Sequence, residues 1–132
     1  MQNHHIMVIE DDAVTLEYME EFLSLYGYQV TPWNTSAGAV DQITRSQPDL
    51  VVLDQRLDGA TDGWEILQTL RSRPATAHIP VILYSAENAF LRSHRDQVLA
   101  MGGDVLNKPF LPDELLGKIR ELIKKEPLSL RP

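Results

Sequence analysis

The sequence predicts an α/β domain in which strands and helices alternate to form one doubly wound parallel sheet. Short apolar runs recur along the chain, and each precedes a segment with apolar residues at helical spacing, the pattern of repeated βαβ units. The 132 residues suffice for one buried core, and no run approaches the ~18 apolar residues of a membrane span. We therefore expect a single domain of five strand–helix pairs. The clearest runs are Ile6–Ile9, Leu50–Leu53, Val81–Tyr84 and Val105–Leu106.

The first two strand–helix pairs fill the segment before Pro48. The first helix has apolar residues three and four positions apart, at Leu16, Met19, Phe22, Leu23 and Tyr26, and Gly27 is expected to end it. The second strand is predicted at Tyr28–Thr31 and its helix at about 36–46. The candidate caps of this helix are Asn34, Thr35 and Ser36.

The third and fourth helices have clear end signals. Asp62 and Glu65 form a predicted capping box at the start of the third helix, and Pro74 is expected to end it. The fourth helix is predicted at about 88–101, because Gly102 follows its last apolar residue.

The fifth helix is expected to run from Pro112 to about Lys125. Proline suits the first helical position, and acidic residues in the first turn with lysines in the last suit the helix dipole. Its buried stripe comprises Leu115, Ile119, Leu122 and Ile123. The sequence thus predicts one domain over residues 1–125, with residues 126–132 as a short tail or the start of a linker.

The composition excludes several classes of function. A net charge of −7 argues against direct nucleic-acid binding, because phosphate neutralisation requires clustered Lys and Arg. The absence of cysteine excludes disulfides and thiolate metal sites and agrees with a reducing compartment. Since the sequence shows neither a signal-peptide pattern nor a membrane span, we expect a cytoplasmic protein that does not bind membranes.

The apolar runs end in polar groups of different chemical kinds. Glu10–Asp12, Asp54, Ser85 and Lys108 follow or end the four runs. The carboxyl ends of parallel strands meet at one edge of the sheet, where ligand crevices of open α/β folds lie. Clustered carboxylates with no histidine favour hard Mg²⁺ over zinc. With Lys108 for phosphate and Ser85 as a donor, the set indicates phosphoryl transfer, with Asp54 as the candidate nucleophile.

In order and spacing, these motifs resemble a CheY-like receiver domain of the two-component response-regulator family. The matched features are an acid pair after the first run, Asp54 after the third strand, Ser85 followed by alanine, and Lys108 followed by Pro-Phe. The resemblance covers residues 5 to about 125. It implies a single-domain (βα)5 flavodoxin-like fold with a five-stranded parallel sheet in the order 2-1-3-4-5.

The resemblance also implies a role for each site residue. Asp54 would accept a phosphoryl group from a histidine kinase or histidine phosphotransfer protein. Glu10, Asp11 and Asp54, with the backbone carbonyl of Arg56, would hold Mg²⁺, and Asp12 would cap the first helix.

Ser85 would hydrogen-bond the phosphoryl group, and Lys108 would pair with it. A cis peptide bond before Pro109 would help to aim the lysine. Phosphorylation would then alter the face formed by helix 4, strand 5 and helix 5, which would bind a downstream protein or a second copy as a homodimer. The resemblance implies no enzyme beyond catalysis of the domain's own phosphorylation and dephosphorylation.

Some positions depart from the usual family pattern. Asp58 replaces a common proline, in a loop one residue longer than usual. Val105 replaces an aromatic that reports phosphorylation, which leaves Tyr84 or backbone movement to carry the readout. Arg56 and Glu87 occupy the positions that tune the lifetime of the phosphoryl group, and we hypothesise that they pair and shield Asp54 from water.

Three alternatives stay open from the sequence. The chain could be a pseudo-receiver that binds partners without phosphorylation, although Asp54, Ser85 and Lys108 are all present. It could be a module cut from a larger regulator or a hybrid histidine kinase. It could also be an aspartate-based phosphohydrolase on a related fold, although such enzymes typically need a second acid where this chain has Arg56.

Overall fold

The computed structural model describes residues 4–58 and 61–124, and within them five parallel strands alternate with five helices. The strand order is β2-β1-β3-β4-β5, which confirms the doubly wound flavodoxin-like fold. The elements are β1 (His5–Ile9), α1 (Ala13–Leu25), β2 (Gln29–Trp33), α2 (Ala39–Ser46), β3 (Leu50–Asp54), α3 (Gly63–Ser72), β4 (Val81–Ser85), α4 (Asn88–Ala100), β5 (Asp104–Asn107) and α5 (Pro112–Lys124).

Helices cover both faces of the sheet, and successive strand residues pack on opposite faces. Met7, Val51 and Val81 belong to the core beneath α2, α3 and α4. Val52 and Ile82 belong to the core beneath α1 and α5. Because both faces are covered, the central strands are apolar throughout rather than alternating, as the sequence indicated.

The ends of α1 and the start of α3 follow the sequence signals. The Asp12 side chain accepts a hydrogen bond from the Thr15 backbone N–H at 3.0 Å and caps α1. Asp62 and Glu65 form the predicted capping box of α3. Gly27, just after α1, has a φ of 90°, a conformation that glycine adopts without steric cost.

Strand β2 extends two residues beyond its predicted end. It includes Pro32, which pairs with Val8, although proline cannot donate to a sheet ladder. The strand tolerates this residue because it lies at the edge of the sheet and pairs only with β1 among the described residues.

Helix α2 begins at Ala39, three residues later than predicted. Its N-cap is Gly38, which has a φ of 72° and makes no side-chain capping bond, so the predicted cap residues 34–36 were wrong. Ser36 instead donates its hydroxyl to the carbonyl oxygen of Asp58 at 3.2 Å. A tertiary contact to the loop after β3 therefore replaced the local cap.

Helix α5 has the predicted start and buried stripe, with Leu115 and Ile119 fully buried. Its predicted end at Lys125 and the predicted tail over 126–132 lie outside the described residues. Every helix of the described part of the chain is too short or too polar to cross a bilayer.

Candidate functional site

The sheet brings the predicted site residues to one edge. Glu10 follows β1, Asp54 ends β3, Ser85 ends β4 and Lys108 follows β5. These strands are neighbours in the sheet, and Glu10, Asp54 and Ser85 are each at most 2% exposed. Parallel pairing thus places residues from four distant segments in one crevice.

Three carboxylates form a tight cluster in this crevice. Glu10, Asp11 and Asp54 each offer an oxygen ligand, and these atoms lie within 4.8 Å of one another. The Lys108 Nζ lies 3.1 Å from Asp54 Oδ2 and 3.3 Å from Glu10 Oε1. The crevice therefore holds three acidic side chains beside a lysine that pairs with two of them.

The electrostatics of the cluster favour an additional cation. Burial, together with the negative charge of Glu10, raises the pKa of Asp54 from 3.8 to about 7, although Lys108 opposes the shift. Burial acts to lower the pKa of Lys108, but its contacts with Asp54 and Glu10 outweigh this and raise it. One ammonium thus leaves negative charge in the crevice uncompensated.

The two acids after Glu10 have different surroundings. The Asp11 carboxylate lies in the cluster and accepts a hydrogen bond from the Asp58 backbone N–H at 2.9 Å. Asp12 caps α1, and hydrogen bonds from the hydroxyl and the backbone N–H of Thr15 lower its pKa. The cap formed by Asp12 agrees with the role that the resemblance implied for it.

Close backbone packing surrounds Asp54. The Arg56 N–H donates to Asp54 Oδ1 at 3.2 Å, and the Gly63 N–H donates to the Gln55 carbonyl at 2.9 Å. A Cβ added at Gly63 would lie 2.3 Å from the Asp54 carbonyl oxygen. Only glycine therefore allows α3 to begin so close to the end of β3.

Ser85 connects the crevice to two further elements. Its hydroxyl oxygen accepts a hydrogen bond from the Glu87 N–H, at the start of α4, at 2.9 Å. Its carbonyl accepts from the Lys108 N–H, also at 2.9 Å. The Lys108–Pro109 peptide bond is cis, as the resemblance implied.

The predicted pair of Arg56 and Glu87 forms at the mouth of the crevice. Arg56 Nη1 lies 3.5 Å from Glu87 Oε2, and the two side chains are 76% and 46% exposed. Solvent screens such a pair, so its contribution to stability is small.

Tyr84 belongs to the site, although the sequence pointed to it only as a possible route for the readout. Its ring is fully buried, its hydroxyl donates to Glu10 Oε1, and the Lys108 Nζ lies 4.7 Å from its ring centroid. A signal was available in the sequence, because a tyrosine inside a buried strand needs a partner for its hydroxyl.

Period-two alternation puts Tyr84 on the opposite face of the sheet from Val105. Because Tyr84 is buried, any part in the readout runs through its internal contacts.

Comparison with known proteins identifies the family. The profile described as "Response regulator receiver domain" matches residues 6–120, almost all of the domain. The chain belongs to this family. It is 33% identical over 121 residues to the response regulator MprA of Mycobacterium leprae, covering 91% of this chain and 51% of that protein. It is 31% identical over 140 residues to the phosphate regulon transcriptional regulatory protein PhoB of Shigella flexneri, covering 96% of this chain and 60% of that protein.

Solved receiver domains share the fold. The receiver domain of the sensor histidine kinase PA1611 from Pseudomonas aeruginosa has a TM-score of 0.80 and 28% identity, covering 94% of this chain and all of that one. That structure has a magnesium ion coordinated in its active-site cleft. The receiver domain of the Francisella response regulator 1452 has a TM-score of 0.82 and 27% identity, covering 93% and 98% of the two chains.

These findings define the molecule as a receiver domain of two-component response regulators, a family of signalling modules. The chain spans about half the length of the curated relatives it matches. Its carboxylate cluster offers only oxygen ligands, the kind that Mg²⁺ prefers, so the residues present fit that ion.

Proposed function

We propose that this receiver domain is switched by phosphorylation of Asp54. The observation that carries the proposal is the joint position of three carboxylates and Lys108 at the carboxyl ends of the strands. The donor would be a phosphohistidine on a histidine kinase or a histidine phosphotransfer protein. The receiver module would comprise residues 1–125.

The proposed reaction forms one bond and breaks another. An Asp54 carboxylate oxygen attacks phosphorus, the P–N bond of the phosphohistidine breaks, and the imidazole nitrogen takes its electron pair. The product is an acyl phosphate on Asp54. An ionised carboxylate attacking phosphorus needs no general base.

The residues around Asp54 have distinct parts in this step. Lys108, which contacts Asp54 Oδ2, would pair with a phosphoryl oxygen and favour the ionised carboxylate. Ser85 accepts a hydrogen bond through its oxygen, which leaves its proton free to donate to another phosphoryl oxygen.

We assign Mg²⁺ to the carboxylates of Glu10, Asp11 and Asp54 with the carbonyl of Arg56. When bound, the ion would offset charge on the carboxylates and on the incoming phosphoryl oxygens. Burial first, and Glu10 second, raise the pKa of Asp54, so the folded site disfavours a further negative charge. A bound cation would offset this, because nearby positive charge favours the ionised carboxylate.

Ser85 gives the switch a physical route to the partner-binding face. If its hydroxyl turns toward a phosphoryl oxygen, its bond from the Glu87 N–H at the start of α4 weakens. Its carbonyl is bonded to the residue after β5. Both links lead to the face formed by α4, β5 and α5, which we propose binds a downstream protein or, on phosphorylation, a second copy of the chain.

The mass of the intact protein tests the proposal. Wild-type protein would be incubated with a small acyl phosphate, with and without Mg²⁺, beside Asp54→Asn. We expect a phosphoryl adduct that requires Mg²⁺, is removed by hydroxylamine and is absent from the variant.

The absence of an adduct on folded wild-type protein would refute the proposal and favour the phosphorylation-independent pseudo-receiver. Two narrower sequence expectations stay predictions: the cytoplasmic location, and catalysis limited to the domain's own phosphorylation and dephosphorylation.

A further inference from the structure

We propose that Tyr84 is a positioning residue for the carboxylate cluster: it holds Glu10 and Lys108 in the arrangement that binds a divalent cation. The inference rests on the proposed function, since it concerns the same site. It adds Tyr84 to the residues of that site. Tyr84 lies one position before Ser85, on the opposite face of the sheet from Val105.

Tyr84 contacts the cluster through two different parts of its side chain. Its hydroxyl donates to Glu10 Oε1, and the face of its ring lies under the Lys108 ammonium, 4.7 Å from centroid to Nζ. Attraction between a cation and the face of an aromatic ring holds the ammonium over tyrosine. One fully buried side chain therefore touches the anion and the cation that flank Asp54.

The surroundings of Tyr84 fix its own position. Its hydroxyl also lies 3.8 Å from Met19 Sδ of α1, and Phe110 packs edge-on against its ring with centroids 6.0 Å apart. A phenol is protonated at neutral pH, so its hydroxyl acts as the donor toward the Glu10 carboxylate. The ring is thus packed against neighbouring side chains and offers one hydrogen bond to the cluster.

The hydroxyl completes the hydrogen bonding of Glu10. Glu10 Oε2 accepts from the Asp12 N–H at 3.0 Å, and Oε1 accepts from Tyr84 and from Lys108 at 3.3 Å. The carboxylate is 1% exposed, so protein donors must replace the water it loses on folding. Without the phenol, Oε1 keeps only its bond from Lys108, and the carboxylate is held less firmly, by that bond and the Asp12 N–H.

The length of the acid at position 10 matters in this arrangement. An aspartate would end one carbon–carbon bond earlier, and its carboxylate would withdraw from the phenol. Glu10 and Tyr84 therefore act as a pair, and the effect of one should depend on the presence of the other.

Magnesium affinity measured by calorimetry tests this pairing. Tyr84→Phe keeps the ring and removes only the hydroxyl, and we expect the Mg²⁺ dissociation constant to rise about tenfold, the lower end of what losing a group that orients a metal ligand costs. Glu10→Asp should weaken binding as well. Adding Tyr84→Phe to Glu10→Asp should then change the constant by less than about twofold, because the pair is already broken.

Tyr18→Phe is the matched control. Tyr18 is 52% exposed on α1, so loss of its hydroxyl should leave Mg²⁺ binding unchanged. Thermal unfolding of each variant, measured without metal, shows whether it is folded at the temperature of the titration. A purely structural role for Tyr84 would lower the melting temperature without coupling Mg²⁺ affinity to residue 10.

The outcomes separate this proposal from the one before it. Wild-type affinity in Tyr84→Phe overturns the role of Tyr84 and leaves the phosphoacceptor function intact. The same conclusion follows if Tyr84→Phe weakens binding equally with and without the Glu10→Asp substitution. Wild-type protein that neither binds Mg²⁺ nor takes a phosphoryl group overturns both proposals.

Discussion

Two pairs of opposite charges lie at the same crevice, and they differ in almost everything except their charges. Lys108 contacts Asp54 at 3.1 Å, with the aspartate side chain 3% exposed. Arg56 contacts Glu87 at 3.5 Å, with side chains 76% and 46% exposed. The first pair belongs to a buried cluster that includes Glu10, whereas solvent surrounds the second.

The difference indicates that solvent exposure, more than the presence of an ion pair, sets how strongly a charge affects the groups around it. Around Asp54 less water screens the charges, so the repulsion between carboxylates and the attraction of the lysine are stronger than at the surface. At the mouth, water screens the charges and mobile side chains oppose a fixed geometry. Chemistry should therefore depend strongly on the buried pair, and the exposed pair should adjust it only slightly.

The largest expected effect is from Lys108→Met, which removes the ammonium but keeps an extended apolar side chain. We expect the rate of phosphorylation of Asp54 to fall about 100-fold, comparable to the loss of one donor that stabilises transition-state charge. The rate of adduct formation in Mg²⁺ measures it. Lys118→Met is the control, because Lys118 pairs with Asp104 at 3.1 Å on β5 and should leave the rate unchanged. Equal rates in both variants would show that the contact with Asp54 gives Lys108 no special part in phosphorylation, since the two lysines are exposed to a similar degree.

A second prediction concerns the packing beneath the buried pair. In Gly63→Ala the new methyl group would overlap the Asp54 carbonyl, and we expect a loss of ~1–3 kcal/mol in the free energy of unfolding. Gly117→Ala adds the same group in open space on α5 and should stabilise the protein by up to ~1 kcal/mol. Urea unfolding measures both. A stable Gly63→Ala variant would indicate that the backbone around Asp54 is less constrained than the structure implies.

The pH dependence of stability gives a third prediction. Burial and Glu10 raise the pKa of Asp54 to about 7, so the folded protein holds this proton more tightly than the unfolded chain, whose pKa is near 3.8. The stability of metal-free protein should therefore fall as pH rises from about 4 to 7. Asp54→Asn removes this component and should melt a few degrees above wild type at pH 8 in the presence of a chelator.

The control for this comparison is Asp96→Asn, which changes an exposed acid on α4 and should keep the wild-type pH profile. Identical profiles for wild type and Asp54→Asn would contradict the raised pKa. Addition of Mg²⁺ at pH 8 should stabilise wild type more than Asp54→Asn, because the variant lacks one proposed ligand.

The smallest expected effect is from Arg56→Ala at the exposed pair. A contact worth ~0.5 kcal/mol corresponds to about a twofold change in rate, so we expect the phosphoryl group to be lost about twice as fast. Decay of the adduct after removal of the donor measures this rate, and Glu87→Ala should have a similar effect. An unchanged lifetime would refute the shielding hypothesis, and a tenfold change would mean that this pair is stronger than its exposure indicates.

Local sequence determined most of the fold. Apolar runs and helical spacing predicted five strand–helix pairs, and Asp12, Gly27 and the Asp62–Glu65 box mark helix ends because their effects act within one turn. The failures lie where a tertiary contact overrode a local preference. Ser36 bonds to the Asp58 carbonyl instead of capping α2, and Pro32 is accepted in β2 because that strand lies at an edge.

The sequence also identified the residues that meet at the crevice, because parallel strands bring their carboxyl ends together whatever the details of packing. Only the tertiary structure decided how they interact. The hydrogen bond from Tyr84 to Glu10 joins residues 74 positions apart, and Asp54 meets Lys108 only when β3 and the segment after β5 come together in the fold. The sequence determines the chemical type of each group. Its pKa and its partners depend on distances and solvent exposure, which only folding fixes.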